Sequence, residues 1–301
     1  MNDLTPGKLT GTLLERAAAR YALQPPGLPL AAAPVVAPKP DAVPQPSAQS
    51  AAPPRTRAGM VHIDREALSE AGMIVPGAAV TPLAEEFRLV KRALLLTARG
   101  VADTDVAKAR TVLVCSANPG DGKTFCAINL ALSLAAEADI EVLLVDADFA
   151  QPDVLNRLGL GDAPGLLDAL GDRSIDPETL VIPTDVPQLS ILPAGGRNVS
   201  DTELLASERA REVLARLLRA DRNRIIIFDS PPVLAASPAS VLAEMVGQVL
   251  LVVRADRTSE GDLRKAVALL DACDELQLVL NSAAYQPGKR RFGSYYQETA
   301  A

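Results

Sequence analysis

Five short, mostly apolar runs punctuate the chain: Thr111-Val-Leu-Val-Cys-Ser116, Glu141-Val-Leu-Leu-Val145, Arg224-Ile-Ile-Ile-Phe228, Val249-Leu-Leu-Val-Val253 and Leu276-Gln-Leu-Val-Leu280. Runs of this length, rich in Val and Ile and without polar alternation, predict strands buried on both faces. Between them the spacing changes to that of helices, over 125–137 with its Ala/Leu pattern and over 260–271. A further strand is predicted over 189–192 and a short helix around 166–170. Ser200-Asp-Thr-Glu203 has the spacing of a capping box and opens a predicted long helix to about position 219. Strands alternating with helices imply right-handed βαβ units. The predicted fold class is therefore α/β: a mostly parallel central sheet covered by helices on both faces.

Upstream of the first strand, Thr81-Pro82 has the look of an N-cap followed by proline at the first helical position. Leu83, Phe87, Val90, Leu94 and Thr97 then recur at steps of four and three, one apolar stripe. Glu85, Glu86, Arg88, Lys91 and Arg92 fill the rest of that helix, which periodicity alone reads as a solvated face. Residues 8–23 carry a weaker helical pattern, a candidate docking segment too short to stand alone. From 24 to 54 ten of 31 residues are proline and eight are alanine, a composition that predicts an extended linker. The chain thus divides into 1–23, a linker and irregular segment over 24–80, a domain over 81–282 with its boundary near Val80, and a polar tail over 283–301.

The strongest chemical signal lies between the first strand and its helix. Ala117-Asn-Pro-Gly-Asp-Gly-Lys-Thr124 matches the phosphate-loop pattern G-x-x-x-x-G-K-[ST] at every fixed position but the first. Gly120 and Gly122 let backbone N–H groups close around phosphates, and the helix start adds its partial positive charge. Lys123 would reach the outer phosphates of ATP, and Thr124 would ligate Mg²⁺ through its hydroxyl. Gly120, Asp121, Gly122, Lys123, Thr124 and Phe125 are the expected nucleotide contacts. The second strand ends in Asp146-Ala-Asp148, whose acids point to one side, and the third ends in Asp229. At the C-terminal edge of a parallel sheet these carboxylates would stand beside the loop, where such folds bind ligands. Asn281, just past the last strand, is a candidate for the adenine edge or a simple turn former.

A net charge of −7 and a pI near 5.0 argue against gripping nucleic acid. Cys115, Cys126 and Cys273 lack metal or redox spacing and predict small core residues in a reducing compartment. The lone histidine, His62, lies outside the motif-bearing domain. No secretory leader is visible, and no run approaches the ~18–20 apolar residues that span a bilayer. A cytoplasmic location is expected, with any membrane link made through a partner. Three of the four tyrosines, Tyr285, Tyr295 and Tyr296, fall in the last 17 residues, after Lys289-Arg290-Arg291 in the case of the pair.

Ala117 to Thr124, Leu143-Leu-Val-Asp-Ala-Asp148 and Ile225-Ile-Ile-Phe-Asp-Ser-Pro-Pro232 together resemble the Walker A, A′ and B motifs of bacterial tyrosine kinases. The nearest likeness is to the cytoplasmic tyrosine autokinases of exopolysaccharide loci, including the exosortase-associated type. Ala84 to Arg92, Leu192-Pro-Ala-Gly195 and Glu203 to Glu208 are similar too. The resemblance implies a P-loop fold using ATP and Mg²⁺, with Asp146 deprotonating the attacking tyrosine and Asp148 and Asp229 stabilising the metal and its waters. It implies phosphorylation of Tyr295, Tyr296 or Tyr285 in a neighbouring subunit. It also implies a ring-like homo-oligomer built through Glu85, Arg88, Lys91 and Arg92, and an inner-membrane polysaccharide co-polymerase or chain-length protein as partner. The family's A′ motif carries an arginine shortly after the second aspartate, where this chain has Phe149-Ala150-Gln151-Pro152. A partner-positioning ATPase of the septum-site or partitioning type is the main alternative, although its second loop lysine is replaced here by Asn118. A nucleotide-binding scaffold that transfers no phosphate is the other.

Overall fold

The computed structural model describes residues 59–196 and 201–283. Its first elements are helix α1, Arg65–Glu70, and helix α2, Pro82–Ala102, followed by strand β1, Thr111–Ser116. Helix α3, Lys123–Ala135, leads to β2, Glu141–Asp146, and then to the short helices α4, Val154–Arg157, and α5, Leu166–Gly171. After β3, Ile182–Pro183, and β4, Leu189–Leu192, come α6, Asp201–Leu205, and α7, Glu208–Ala220. The chain continues through β5, Arg224–Asp229, α8, Pro238–Met245, β6, Gln248–Arg254, α9, Glu260–Leu269, and β7, Leu276–Asn281.

The seven strands form one sheet in the order β3-β4-β2-β5-β1-β6-β7, parallel except for the antiparallel edge pair β3 and β4. The apolar runs alternate sides as strands must. Leu113, Leu143, Val145, Ile226, Phe228 and Leu251 face one core, covered by α5 to α9. Val112, Val114, Leu144, Ile227 and Leu250 face the other, covered by α2 and α3. Both faces are dry along β1, β2, β5 and β6, which is why these strands show no polar alternation, whereas the edge strand β7, expected to be buried on both faces, leaves Leu278 and Leu280 exposed. β1 sits between β5 and β6, so the connections leave in opposite directions on either side of it. That reversal opens a crevice at the C-terminal ends of the strands.

The predicted start of α2 is present in detail: Thr81 Oγ1 accepts the Ala84 N–H at 3.2 Å, and proline occupies the first turn. Phe87 and Leu94 of the predicted stripe are buried. Three expectations need correction. The compact part begins well before Val80, because Ile63, Leu68 and Met73 are buried in the core beside α3. Asp185 fastens this stretch, accepting the Ile63 N–H at 3.0 Å and pairing with Arg65 at 2.6 Å. The predicted long helix to position 219 is two helices, because Ser207 adopts an extended backbone and its hydroxyl donates to the Leu204 carbonyl at 2.6 Å. Lys91, assigned to a solvated or intersubunit face, is buried; its Nζ donates to the Ser133 carbonyl at 3.0 Å and pairs with Glu137 at 2.5 Å. Its alkyl stem continues the apolar stripe, and its charge ties α2 to α3. Among the described residues no helix is long and apolar enough to cross a membrane.

Candidate active site

The loop between β1 and α3 has left-handed backbone at Gly120, φ +79°, and Gly122, φ +97°. A side chain at Gly122 would place its Cβ 2.1 Å from Asn281 Nδ2, so glycine is required there for space as well as for backbone freedom. Asn281 itself donates from Nδ2 to the Asp121 carbonyl at 2.9 Å and accepts the Ser282 N–H at 2.9 Å. One N–H and one lone pair of its amide are thus used on backbone, and the side chain braces the loop. The Asp121 side chain turns inward and is fully buried, its Oδ2 accepting the Asn118 N–H at 3.1 Å. Asp121 can therefore meet a ligand only through its backbone. Because α3 begins at Lys123, its first amides open onto the crevice.

The register of β2 and β5 sets Asp146 directly opposite Asp229. Lys123 Nζ pairs with Asp148 at 2.7 Å and donates to Thr124 Oγ1 at 3.4 Å. Burial alone would lower the Lys123 pKa, but the Asp229, Asp148 and Asp146 carboxylates outweigh it and the net shift is upward. Asp146 is buried, with Oδ1 accepting the Asp148 N–H and Oδ2 the amides of Asp153 and Val154, each at 3.1 Å. Burial holds its carboxyl up at about 6, opposed by those amides. Asp229 is fully enclosed, and burial raises its pKa to about 7. The Lys123 charge and the nearby Thr124 hydroxyl pull the other way, yet neither Asp229 oxygen reaches a protein donor at hydrogen-bonding geometry.

A sealed carboxylate with two unmatched oxygens is a strong demand for a cation and its water shell. Thr124, Asp148 and Asp229 supply hard oxygen donors of the kind Mg²⁺ takes, few in number because this ion keeps several waters. No group of three or more His, Cys, Asp or Glu side chains suited to hold a metal by itself occurs among the described residues. That spare donor set suits a cation shared with phosphate.

A cleft of about 1070 Å³ opens from this centre. Gly120, Gly122 and Lys123 to Phe125 line it together with Asp146, residues 151–153 and 155–157, and Pro193–Gly196. Sequence reasoning thus brings together Lys123, Thr124, Asp146, Asp148 and Asp229, and leaves Phe125 at the cleft wall. It missed Arg254, whose Nη1 donates to the Gly120 carbonyl at 2.7 Å, and Arg257, which packs against Gly120. It also missed Asp153 and Arg157, which line the cleft. An arginine closing an apolar strand was the available signal for the first. Glu85, Arg88 and Arg92 lie on α2 outside the cleft, Arg88 and Arg92 exposed and Glu85 paired with Arg88. Tyr285, Tyr295 and Tyr296 lie outside the described residues.

The family model described as AAA domain covers residues 109–281. The EpsB protein of Ralstonia nicotianae is 36% identical over 184 residues, which is 60% of this chain and 24% of EpsB. Tyrosine-protein kinase YwqD of Bacillus subtilis is 32% identical over 164 residues, 54% of this chain and 68% of YwqD. Among solved structures, the VpsO kinase domain superposes with a TM-score of 0.54 at 30% identity, covering 65% of this chain and 98% of that domain. This chain spans only about a quarter of EpsB's length. On the family model and these relatives, the chain belongs to the AAA-domain family and to the bacterial tyrosine kinases.

Proposed function

We propose that this chain is an ATP-dependent protein-tyrosine kinase whose acceptors are the tail tyrosines Tyr295, Tyr296 and Tyr285 of a neighbouring copy. The observation that carries the reading is the convergence of Asp146 and Asp229, in register on adjacent strands, with Lys123 on one loop. The loop amides and Lys123 hold the triphosphate. Thr124, Asp148 and Asp229 hold Mg²⁺, which when bound supplies neutralisation of phosphate charge. The tyrosine oxygen forms a bond to the γ-phosphorus as the bond from that phosphorus to the bridging oxygen breaks, and ADP leaves with the electron pair. Asp146, which lines the cleft and has a pKa of about 6, takes the phenolic proton. In phosphoryl transfer the protein mainly positions groups and neutralises charge, and this cleft is built for both.

The wider reading follows family membership. Copies assemble into a ring through the exposed charges of α2, and the kinase works in the cytoplasm, recruited to the inner membrane by a polysaccharide co-polymerase. There it regulates exopolysaccharide synthesis or export. The acidic balance of the chain supports a role without nucleic acid.

A mixing experiment tests the transfer between copies. Lys123→Ala protein with an intact tail is incubated with Mg-ATP and a copy whose three tail tyrosines are phenylalanine. Phosphotyrosine on the Lys123→Ala tail is the expected outcome. ATP consumption with that tail unmodified would move the reading to the partner-positioning ATPase.

A further inference from the structure

Among the described residues, the cations that line the cleft are Lys123 and Arg157. Lys123 is neutralised by Asp148 at 2.7 Å. Positions 149–152, between the second acid and Asp153, carry no charge. Arg157 is placed at the cleft by the site itself. Asp146 Oδ2 accepts the amides of Asp153 and Val154, and so pins the start of the turn, Val154–Arg157, that bears the guanidinium. Arg157 lines the cleft and is parked on Asp153, Nε to Oδ2 at 2.5 Å, with its side chain still 39% exposed.

We infer that Arg157 is a catalytic residue that leaves Asp153 and engages the γ-phosphoryl group of the bound nucleotide. A guanidinium presents fixed, forked donors suited to phosphate oxygens and stays charged at any working pH. The charge it meets is largest as the γ-phosphorus passes from the ADP oxygen to the tyrosine oxygen, so its effect falls on the transfer step more than on binding. Asp153 holds it back until a competing anion arrives. This assignment rests on the kinase reading for its acceptor, but its contact with the terminal phosphate does not.

The experiment compares wild type with Arg157→Ala, Arg157→Lys and Asp153→Asn in the full chain. It measures affinity for ADP and for a non-hydrolysable ATP analogue, both with Mg²⁺, and then the rate of tyrosine phosphorylation. In Arg157→Ala, ADP affinity is expected to stay within about twofold while the analogue weakens by about tenfold, the scale of one lost charged contact. Its transfer rate is expected to fall at least about 10²-fold. Arg157→Lys should recover part of the analogue affinity, and Asp153→Asn should bind the analogue at least as tightly as wild type. Equal losses for ADP and the analogue in Arg157→Ala would overturn the assignment, as would Asp153→Asn behaving like Arg157→Ala. If wild type makes no phosphotyrosine yet the analogue-to-ADP ratio shifts as stated, the kinase reading fails and the phosphate contact stands.

Discussion

A carboxylate closed off from water with no donor for either oxygen works against the fold, and Asp229 is that group. Its pKa rises from 3.8 to about 7, and that of Asp146 to about 6, both through burial first. Between about pH 4 and 7 the folded protein therefore keeps protons that the unfolded chain has released. Stability of the nucleotide-free protein should fall as pH rises through that window and level off above it. Asp229→Asn should flatten much of the slope and raise stability near neutral or alkaline pH by about 1–3 kcal/mol, while abolishing transfer. Denaturant midpoints at either end of the window check this; a wild type that gains stability with rising pH would contradict it. Asn281 gives a second test at this scale. Since it holds the Asp121 carbonyl, Asn281→Ala should loosen the phosphate loop and weaken ATP and GTP alike, by about tenfold for one lost hydrogen bond. A loss confined to ATP would restore the adenine role.

Among elements, α2 separates two uses of charge that look alike in the sequence. Lys91 locks the helix to α3 through Ser133 and Glu137, whereas Arg88 and Arg92 stay exposed. Lys91→Ala should therefore cost about 1–3 kcal/mol of stability and leave assembly unchanged, and Arg88→Ala with Arg92→Ala should do the reverse. Melting curves beside sizing measurements on the same proteins distinguish the two. Most strands were legible because each is a mainly apolar run, and the acids because they follow two of them, whereas the two-residue edge strand β3 carries no such run. The loop was legible because two glycines, a lysine and a threonine hold fixed spacing. Lys91 was not, since a long stem can continue an apolar stripe while its charge finds a partner on another helix. Nor were Ile63, Leu68 and Met73, whose burial depends on Thr184 and Asp185 more than a hundred residues away. The bond from Asn281 to the Asp121 backbone was not legible either, because sheet order alone brings the two together.

For the whole molecule, the packing of 61–75 decides where the chain can be cut. Removing residues 1–58 should leave melting behaviour unchanged, and removing residues 1–80 should destabilise strongly, at roughly 2–5 kcal/mol for each large buried side chain lost. Equal stability of the two truncations, by denaturant unfolding, would show that 59–80 adds nothing. The crevice lies where the connections reverse beside β1, so sheet order alone sets three acids and one lysine around a shared space. The account of that space is tested most directly by incubating purified chain, and its Lys123→Ala form, with Mg-ATP and mapping phosphotyrosine by mass spectrometry. Phosphate on Tyr295, Tyr296 or Tyr285 of the wild type and on none in the variant is the result predicted. ATP turnover by wild type with every tyrosine unmodified, even when the membrane partner's cytoplasmic segment is supplied, would contradict it.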